Sequence, residues 1–143
     1  MSLIMYGRRF MGQPKDELGC WGEKEAVRYL KRLGLRILEE NFASPLGEID
    51  VIARDRDVLV FVEVKTRTEA DFGGPLPAVN TRKRRKIVLV AKGYLARHRA
   101  GEIPSRFDVV GVTRKPGSPE PQIEYIRNAF TASGRTISDV GDK

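Results

Sequence analysis

A single cysteine, Cys20, and a single histidine, His98, are all that the 143-residue chain holds of either type. That excludes an intramolecular disulfide, and it excludes a structural zinc site built from the usual cysteine and histidine ligands. No apolar run approaches the roughly 20 residues that a membrane-spanning helix needs. The opening Met1–Phe10 places a short apolar piece ahead of Arg8 and Arg9, the reverse order of a secretory signal. No internal repeat and no low-complexity block is present. Together these absences predict a reducing, cytoplasmic setting. One further absence is local. Between Ala78 and Gly101 lie eight of the chain's 26 cations and none of its 19 acids. The net charge of +7 is concentrated there, and the remainder is close to neutral. A local excess of that kind predicts a polyanionic partner. A solvated helix face or a nuclear-type address is the plainer alternative.

What is present is the make-up of one globular domain, with 41% hydrophobic and 31% charged residues and length enough for one core. Residues 1–15 read as a loose leader, 16–130 as the domain and 131–143 as a polar tail. Between Asp16 and Leu33, the residues Leu18, Gly22, Ala26, Tyr29, Leu30 and Leu33 fall on one helical stripe, and Gly34 is placed to end the helix. Glu23 lies at the edge of that stripe, where an acid either hydrates or reaches the sheet beneath. Leu35–Phe42 reads as a strand and Ser44–Gly47 as a turn. Two strands follow, Gly47–Ala53 and Val58–Lys65, joined by a charged tip. Thr66–Asn80 contains Gly73, Gly74, Pro75 and Pro77 and reads as a loop long enough to serve a site. Its Phe72 is either a stacking surface for a base or a packed side chain. Thr81–His98 reads as a second helix with Ile87, Ala91, Tyr94, Leu95 and His98 inward, and with Lys83 and Arg84 extending that face. Arg106–Thr113 and Gln122–Arg127 are the last two strands, separated by the turn Lys115–Pro121. The element order predicts an α/β domain, an αβββαββ core with a mixed sheet flanked by helices. The second helix then serves as a parallel crossover.

The central hairpin carries the chemistry. With a two-residue turn at Arg56-Asp57, side-chain alternation puts Asp50 opposite Glu63 and Glu48 opposite Lys65. One face then carries Glu48, Asp50, Glu63 and Lys65, and the other Ile49, Val51, Val60, Val62 and Val64. A three-residue loop with a bulge would shift this pairing. Like charges directly across a strand pair are destabilising, so a cation, a shared proton or solvent has to make the arrangement tolerable. The plainer reading is a one-sided hairpin whose outer face is wet. Against it, Val58–Val64 is apolar almost throughout, as befits a buried central strand. Asp108, inside a later strand, is either a holder of a site cation or an ordinary strand-edge acid.

An Asp, about a dozen residues, then Glu-x-Lys on the next strand resembles the PD-(D/E)xK nuclease motif. The flanking residues extend the likeness. Gly22-Glu23 with Ala26, Tyr29 and Leu30, then Gly47-Glu48-Ile49-Asp50, then Phe61-Val62-Glu63-Val64-Lys65 with Arg67, resemble the YraN-like family. So do Phe72-Gly73-Gly74, Lys83 with Lys86, Arg106–Val110 and Asn128-Ala129-Phe130. This family is an uncharacterised group with a restriction-endonuclease-like fold, similar in its acidic positions to archaeal Holliday-junction resolvases. The resemblance runs from about Leu18 to Phe130 and is far more specific for family than for activity. It implies a metal-dependent endonuclease that hydrolyses phosphodiester bonds, with branched or damaged DNA as the candidate substrate. It implies Asp50 and Glu63 as direct ligands of Mg²⁺ or Mn²⁺, hard cations that suit oxygen donors. Glu23 becomes an accessory metal carboxylate. Lys65 either polarises the attacking water or holds the phosphate. Glu48 and Asp108 become residues standing behind the ligands, and Arg67, Lys83, Arg84 and Lys86 the grip on nucleic acid, DNA ahead of RNA. A non-catalytic nucleic-acid-binding module and an interaction protein of a recombination assembly are the rival readings, and a homodimer pairing two sites is open.

Overall fold

The structure is a computed structural model that describes residues 16–68, 79–98 and 102–132. The chain runs α1 (Glu17–Arg32), β1 (Arg36–Ser44), β2 (Gly47–Asp55), β3 (Val58–Thr68), α2 (Thr81–Arg97), β4 (Ser105–Arg114), β5 (Gln122–Phe130). This is the αβββαββ order expected from the sequence. The five strands form one sheet in the order β1-β2-β3-β4-β5. All neighbours are antiparallel except β3 and β4, which pair parallel across the α2 crossover. The apolar run Val58–Val64 is therefore the middle strand, with two neighbours on each side.

Alternation along the strands divides the core into two layers. Val51, Ala53, Val60, Val62, Val64, Val110 and Val112 pack under Ala26, Val27 and Leu30 of α1. Ile52, Leu59, Phe61, Phe107 and Val109 pack with Ile87, Val88, Ala91 and Tyr94 of α2 on the opposite face. One helix covers each face, so the hairpin is not wet on either side. Both helices are capped by the residues that precede them. The Asp16 side chain accepts the Gly19 N–H at 2.7 Å, and Asn80 Oδ1 accepts the Lys83 N–H at 2.9 Å. Gly34, at φ +97°, supplies the left-handed residue that ends α1. Leu33 stands 44% exposed beside it rather than inside the stripe, while Val27 takes a buried place that the pattern did not assign.

Several boundaries differ from expectation. β3 continues through Thr66–Thr68, which had read as loop, because β4 offers a partner for each of those residues: Val112, Thr113 and Arg114. β5 likewise continues to Phe130, whose ring stacks on Phe107 at a centroid distance of 5.0 Å. Phe72 and the rest of 69–78 lie outside the described residues, as do 1–15 and 133–143. Among the described residues no helix is long and apolar enough to cross a membrane.

α1 lies close on β3 at one point, and a glycine makes it possible. A Cβ placed on Gly22 would stand 1.9 Å from Thr66 Oγ1 and 2.6 Å from Thr66 Cγ2. This contact sets the depth of α1 and with it the position of the next residue, Glu23. Gly22→Ala should therefore cost about 1–3 kcal/mol of stability, as overpacking does. Thr66→Ala added to it should recover part of the loss. Urea denaturation checks this, and an unchanged midpoint for Gly22→Ala would show that α1 does not depend on the close approach.

Candidate functional site

The two halves of the hairpin pair in the expected register, from Asp55↔Val58 at the two-residue turn to Val51↔Val62. There the ladder stops. Asp50, the next residue, is not laddered to Glu63. Its Oδ2 instead accepts the N–H of Val64 at 2.8 Å, one residue beyond. β3 at this point follows β4, with Glu63↔Val109 and Val64↔Val110, while β2 follows β1, with Phe42↔Ile49. The sheet thus forks between β2 and β3, and Asp50 occupies the fork. The residue across from Asp50 on its other side, by register, is Asn41, which has φ 54°. Asn tolerates that left-handed conformation better than most residues. Asp50 is consequently out of both ladders, and alternation is broken there. This corrects one expectation: Ile49 does not share the layer of Val51 but packs with Phe42 on the α2 side.

Both acids of the fork are buried, Asp50 at 5% and Glu63 at 8% exposure. Glu63 faces the α2 side, next to Val109 of that layer, and Lys83 of α2 brings its Nζ to 3.4 Å from Glu63 Oε2. Lys65, two residues on, is exposed within β3 across from Gly111, and Arg67 is half-buried beyond it. Glu48 is half-buried across from Ala43 of β1, so its ladder partner is on β1 rather than Lys65. Glu23 is 7% exposed on α1 and so approaches from the other face of the sheet. At 100° per residue, Trp21 and Tyr29, which meet Arg114 and Tyr125, mark the flank of α1 toward β4 and β5. Glu23 and Val27 lie on the opposite side of the helix. Among the described residues no three His, Cys, Asp or Glu side chains come together so as to hold a metal ion by themselves. The fork therefore offers two buried carboxylates with Lys83 beside Glu63, and Glu23 is not drawn into a trio with them.

The basic stretch is the N-terminal half of α2. Arg82, Lys83, Arg85 and Lys86 are exposed there, with no acid in the first turn. Cations at the positive end of a helix are unfavourable to its dipole, so this face is built for something other than helix stability. Arg84 is placed differently from its neighbours. It is half-buried, donating to the Val79 carbonyl at 2.5 Å and to Thr81 Oγ1 at 3.0 Å, and it fixes the entry to the helix.

Asp108 belongs to a different centre. It is 0% exposed and accepts from Arg106 Nε at 3.1 and 3.2 Å, from the Asn128 N–H at 2.8 Å and from the Tyr125 hydroxyl. Arg106 also meets Asp55 at 2.9 Å, tying the tip of the β2–β3 hairpin to β4. The cation that Asp108 holds is thus Arg106 of its own strand, and neither Lys65 nor Lys83. Burial, helped by the Asp108 hydrogen bond, pushes the Tyr125 hydroxyl up to about 12. Burial opposes the Arg106 charge, but its bonds to Asp108, Tyr125 and Asp55 outweigh that and raise it overall. Neither Arg106 nor Tyr125 was singled out from the sequence as Asp108's partner. The alternation Arg106-x-Asp108 within one strand was the available sign, since it puts the two side chains on one face.

Comparison with known proteins supports the family likeness. Residues 22–112 match the model of a family described as Uncharacterised protein family UPF0102. A UPF0102 protein of Geobacter metallireducens is 48% identical over 120 residues, covering 84% of this chain and 97% of that protein. UPF0102 proteins of Syntrophotalea carbinolica and Clostridioides difficile are 43% and 44% identical, over 82% and 80% of this chain and 94% and 96% of their own. None of these descriptions states an activity.

Asp50→Ala removes the acceptor of the Val64 N–H inside a buried fork, which should cost about 1–3 kcal/mol. Asp50→Asn keeps an oxygen there and should cost much less. Both variants delete the charge, and with it any repulsion from Glu63, so the difference between them in chemical denaturation reads the hydrogen bond together with the packing of the carboxamide. Equal stabilities would mean that the fork does not depend on it.

Proposed function

We propose a function for this chain, which belongs to the uncharacterised protein family UPF0102: it is a metal-dependent endonuclease that hydrolyses phosphodiester bonds in nucleic acid. One observation carries this reading. Two buried carboxylates, Asp50 and Glu63, stand where β2 parts from β3, beside a helix that presents four exposed cations. The donor set fits Mg²⁺ or Mn²⁺, because a hard cation of this type takes one or two carboxylates and retains several waters. A trio of protein ligands is not required. Such a cation, when bound, supplies Lewis-acid polarisation of the phosphate and lowers the pKa of water.

The chain's own residues do the rest. Asp50 and Glu63 hold the cation, and the Val64 N–H keeps the Asp50 carboxylate oriented. Lys65, exposed two residues beyond Glu63 on β3, meets the scissile phosphate or the attacking water. The face of α2 bearing Arg82, Lys83, Arg85 and Lys86 holds the phosphate backbone in a sequence-independent way. DNA with a branch or lesion is the substrate class the motif likeness favours. The single cysteine, which can form no disulfide within the chain, favours a reducing, cytoplasmic setting. A second reading, a nucleic-acid-binding module without chemistry, is favoured by the Lys83–Glu63 contact, in which an ammonium already stands beside one of the two acids.

The two functions sit on different elements and are separable. Asp50→Asn and Lys65→Ala should each lower cleavage of linear, flapped and four-way DNA by about 10²-fold or more, while binding persists. Arg82→Ala with Lys86→Ala leaves the Lys83–Glu63 contact in place. It should weaken binding and shrink the slope of log affinity against log salt by about 0.9 for each duplex phosphate no longer neutralised. Binding by the wild type without cleavage of any substrate in Mg²⁺ or Mn²⁺ would favour the binding module. Absence of binding at low salt would refute both readings.

A further inference from the structure

We infer that the cavity between α1 and the β4–β5 turn seats one unpaired nucleobase, an inference that rests on the nucleic-acid reading above. The cavity holds about 410 Å³ and is lined by Trp21, Thr68, Arg114, Lys115, Pro116 and Pro119, among others. Its central feature is a stacked pair. The Arg114 guanidinium carbon lies 4.4 Å from the centroid of the Trp21 ring. An arginine at a strand end would ordinarily extend into solvent. Here the indole backs it, so one face of the guanidinium plane is covered and the plane is held in place. An arginine plane fixed in this way is a stacking platform for a base, and such stacking tolerates any base because each has a π-face. Pro116 and Pro119 supply apolar walls, and Lys115 supplies a cation for the neighbouring phosphate.

Position links this cavity to the fork. Thr68 is five residues beyond Glu63 on β3, which at strand rise is about 16 Å. The acids open on the α2 face and the cavity on the α1 face, so a nucleic-acid strand passing round the carboxyl end of β3 reaches both. A base that enters it has left its stack in a duplex, so the occupant is an unpaired nucleotide of a branch, gap, flap or extruded position. This assigns a role to Trp21, Arg114 and Lys115 that the acidic motif does not contain.

Trp21 is the chain's one tryptophan, so intrinsic fluorescence reports the cavity directly. The full chain is titrated in EDTA, which prevents cleavage, with a short labelled oligothymidine and with an abasic strand of the same length. Oligothymidine should quench or shift Trp21 emission, with the midpoint that label anisotropy gives. The abasic strand should bind about tenfold more weakly, the equivalent of one stacked base, and leave the emission unchanged. Arg114→Lys keeps the charge but loses the plane, and it should bring oligothymidine down to the affinity of the abasic strand, whose own binding stays as it was. If both strands bind the wild type with unchanged Trp21 emission, or if Arg114→Lys leaves the preference for oligothymidine intact, the cavity does not hold a base and the nucleic-acid reading still stands. If neither strand binds at low salt, that reading fails and the inference with it.

Discussion

The hydrogen bond from the Val64 N–H to the Asp50 carboxylate is the contact on which the candidate site depends. In a continuous ladder that amide would go to a β2 carbonyl, and the sheet would close over the position. A side chain takes the carbonyl's place, so β2 can leave β3 while the buried N–H keeps an acceptor, as buried donors must. The opening of the sheet and the burial of an acid are thus one event. Asn41, in a left-handed conformation across from Asp50, gives β1 the corresponding irregularity. Gly22 lets α1 come down on β3 just beyond, and Lys83 closes the site from the α2 side.

A second buried acid shows what the same device looks like when it serves stability. Asp108 also sits at a break in a ladder, between Phe107 and Val109, with a left-handed asparagine, Asn128, donating its N–H. There the charge is matched within the fold by Arg106 and by the Tyr125 hydroxyl. Burying an ionised carboxylate is costly unless it is paired and hydrogen-bonded, and Asp108 is both. At the fork, the residue that continues the register opposite Asp50 is another acid, Glu63, and the lysine beside it, Lys83, comes from an exposed helix face. The two centres are neighbours along β3, with Asp108 across from Val62 and Glu63 across from Val109, but they face opposite sides of the sheet. Asp108 and Arg106 lock the hairpin tip, while Asp50 and Glu63 stand where β2 and β3 part.

Much of this was legible in the sequence because the signals were local. The branched run Val58–Val64 identified the middle strand, Gly34 the end of α1, and the pair Arg56-Asp57 the turn that fixes the hairpin register. Asp50, Glu63 and Lys65 were singled out by the motif resemblance, and what the structure adds is the burial of the two acids. What was not legible depended on contacts distant in sequence. Thr66–Thr68 became strand because β4 pairs with them. Arg84 left the basic face to donate to the Val79 carbonyl, and Ile49 changed layers because alternation breaks at Asp50, across from Asn41. Trp21 carried no periodic signal at all. Its place came from Arg114, 93 positions away, and only the folded sheet brings the two together.

Burial of two acids, a break in the sheet and a basic helix are separate features that a structural role for any one of them would leave uncoordinated. A hydrated divalent cation in the fork joins them. It would offset the burial of Asp50 and Glu63, occupy the gap that the broken ladder leaves, and stand where a phosphate held by α2 can reach it. The most direct measurement is anomalous diffraction from crystals of the wild-type chain grown with Mn²⁺. The account predicts a peak between the Asp50 and Glu63 carboxylates, absent from Asp50→Asn. Full Mn²⁺ sites elsewhere, with Lys83 still on Glu63 and no peak in the fork, would contradict it.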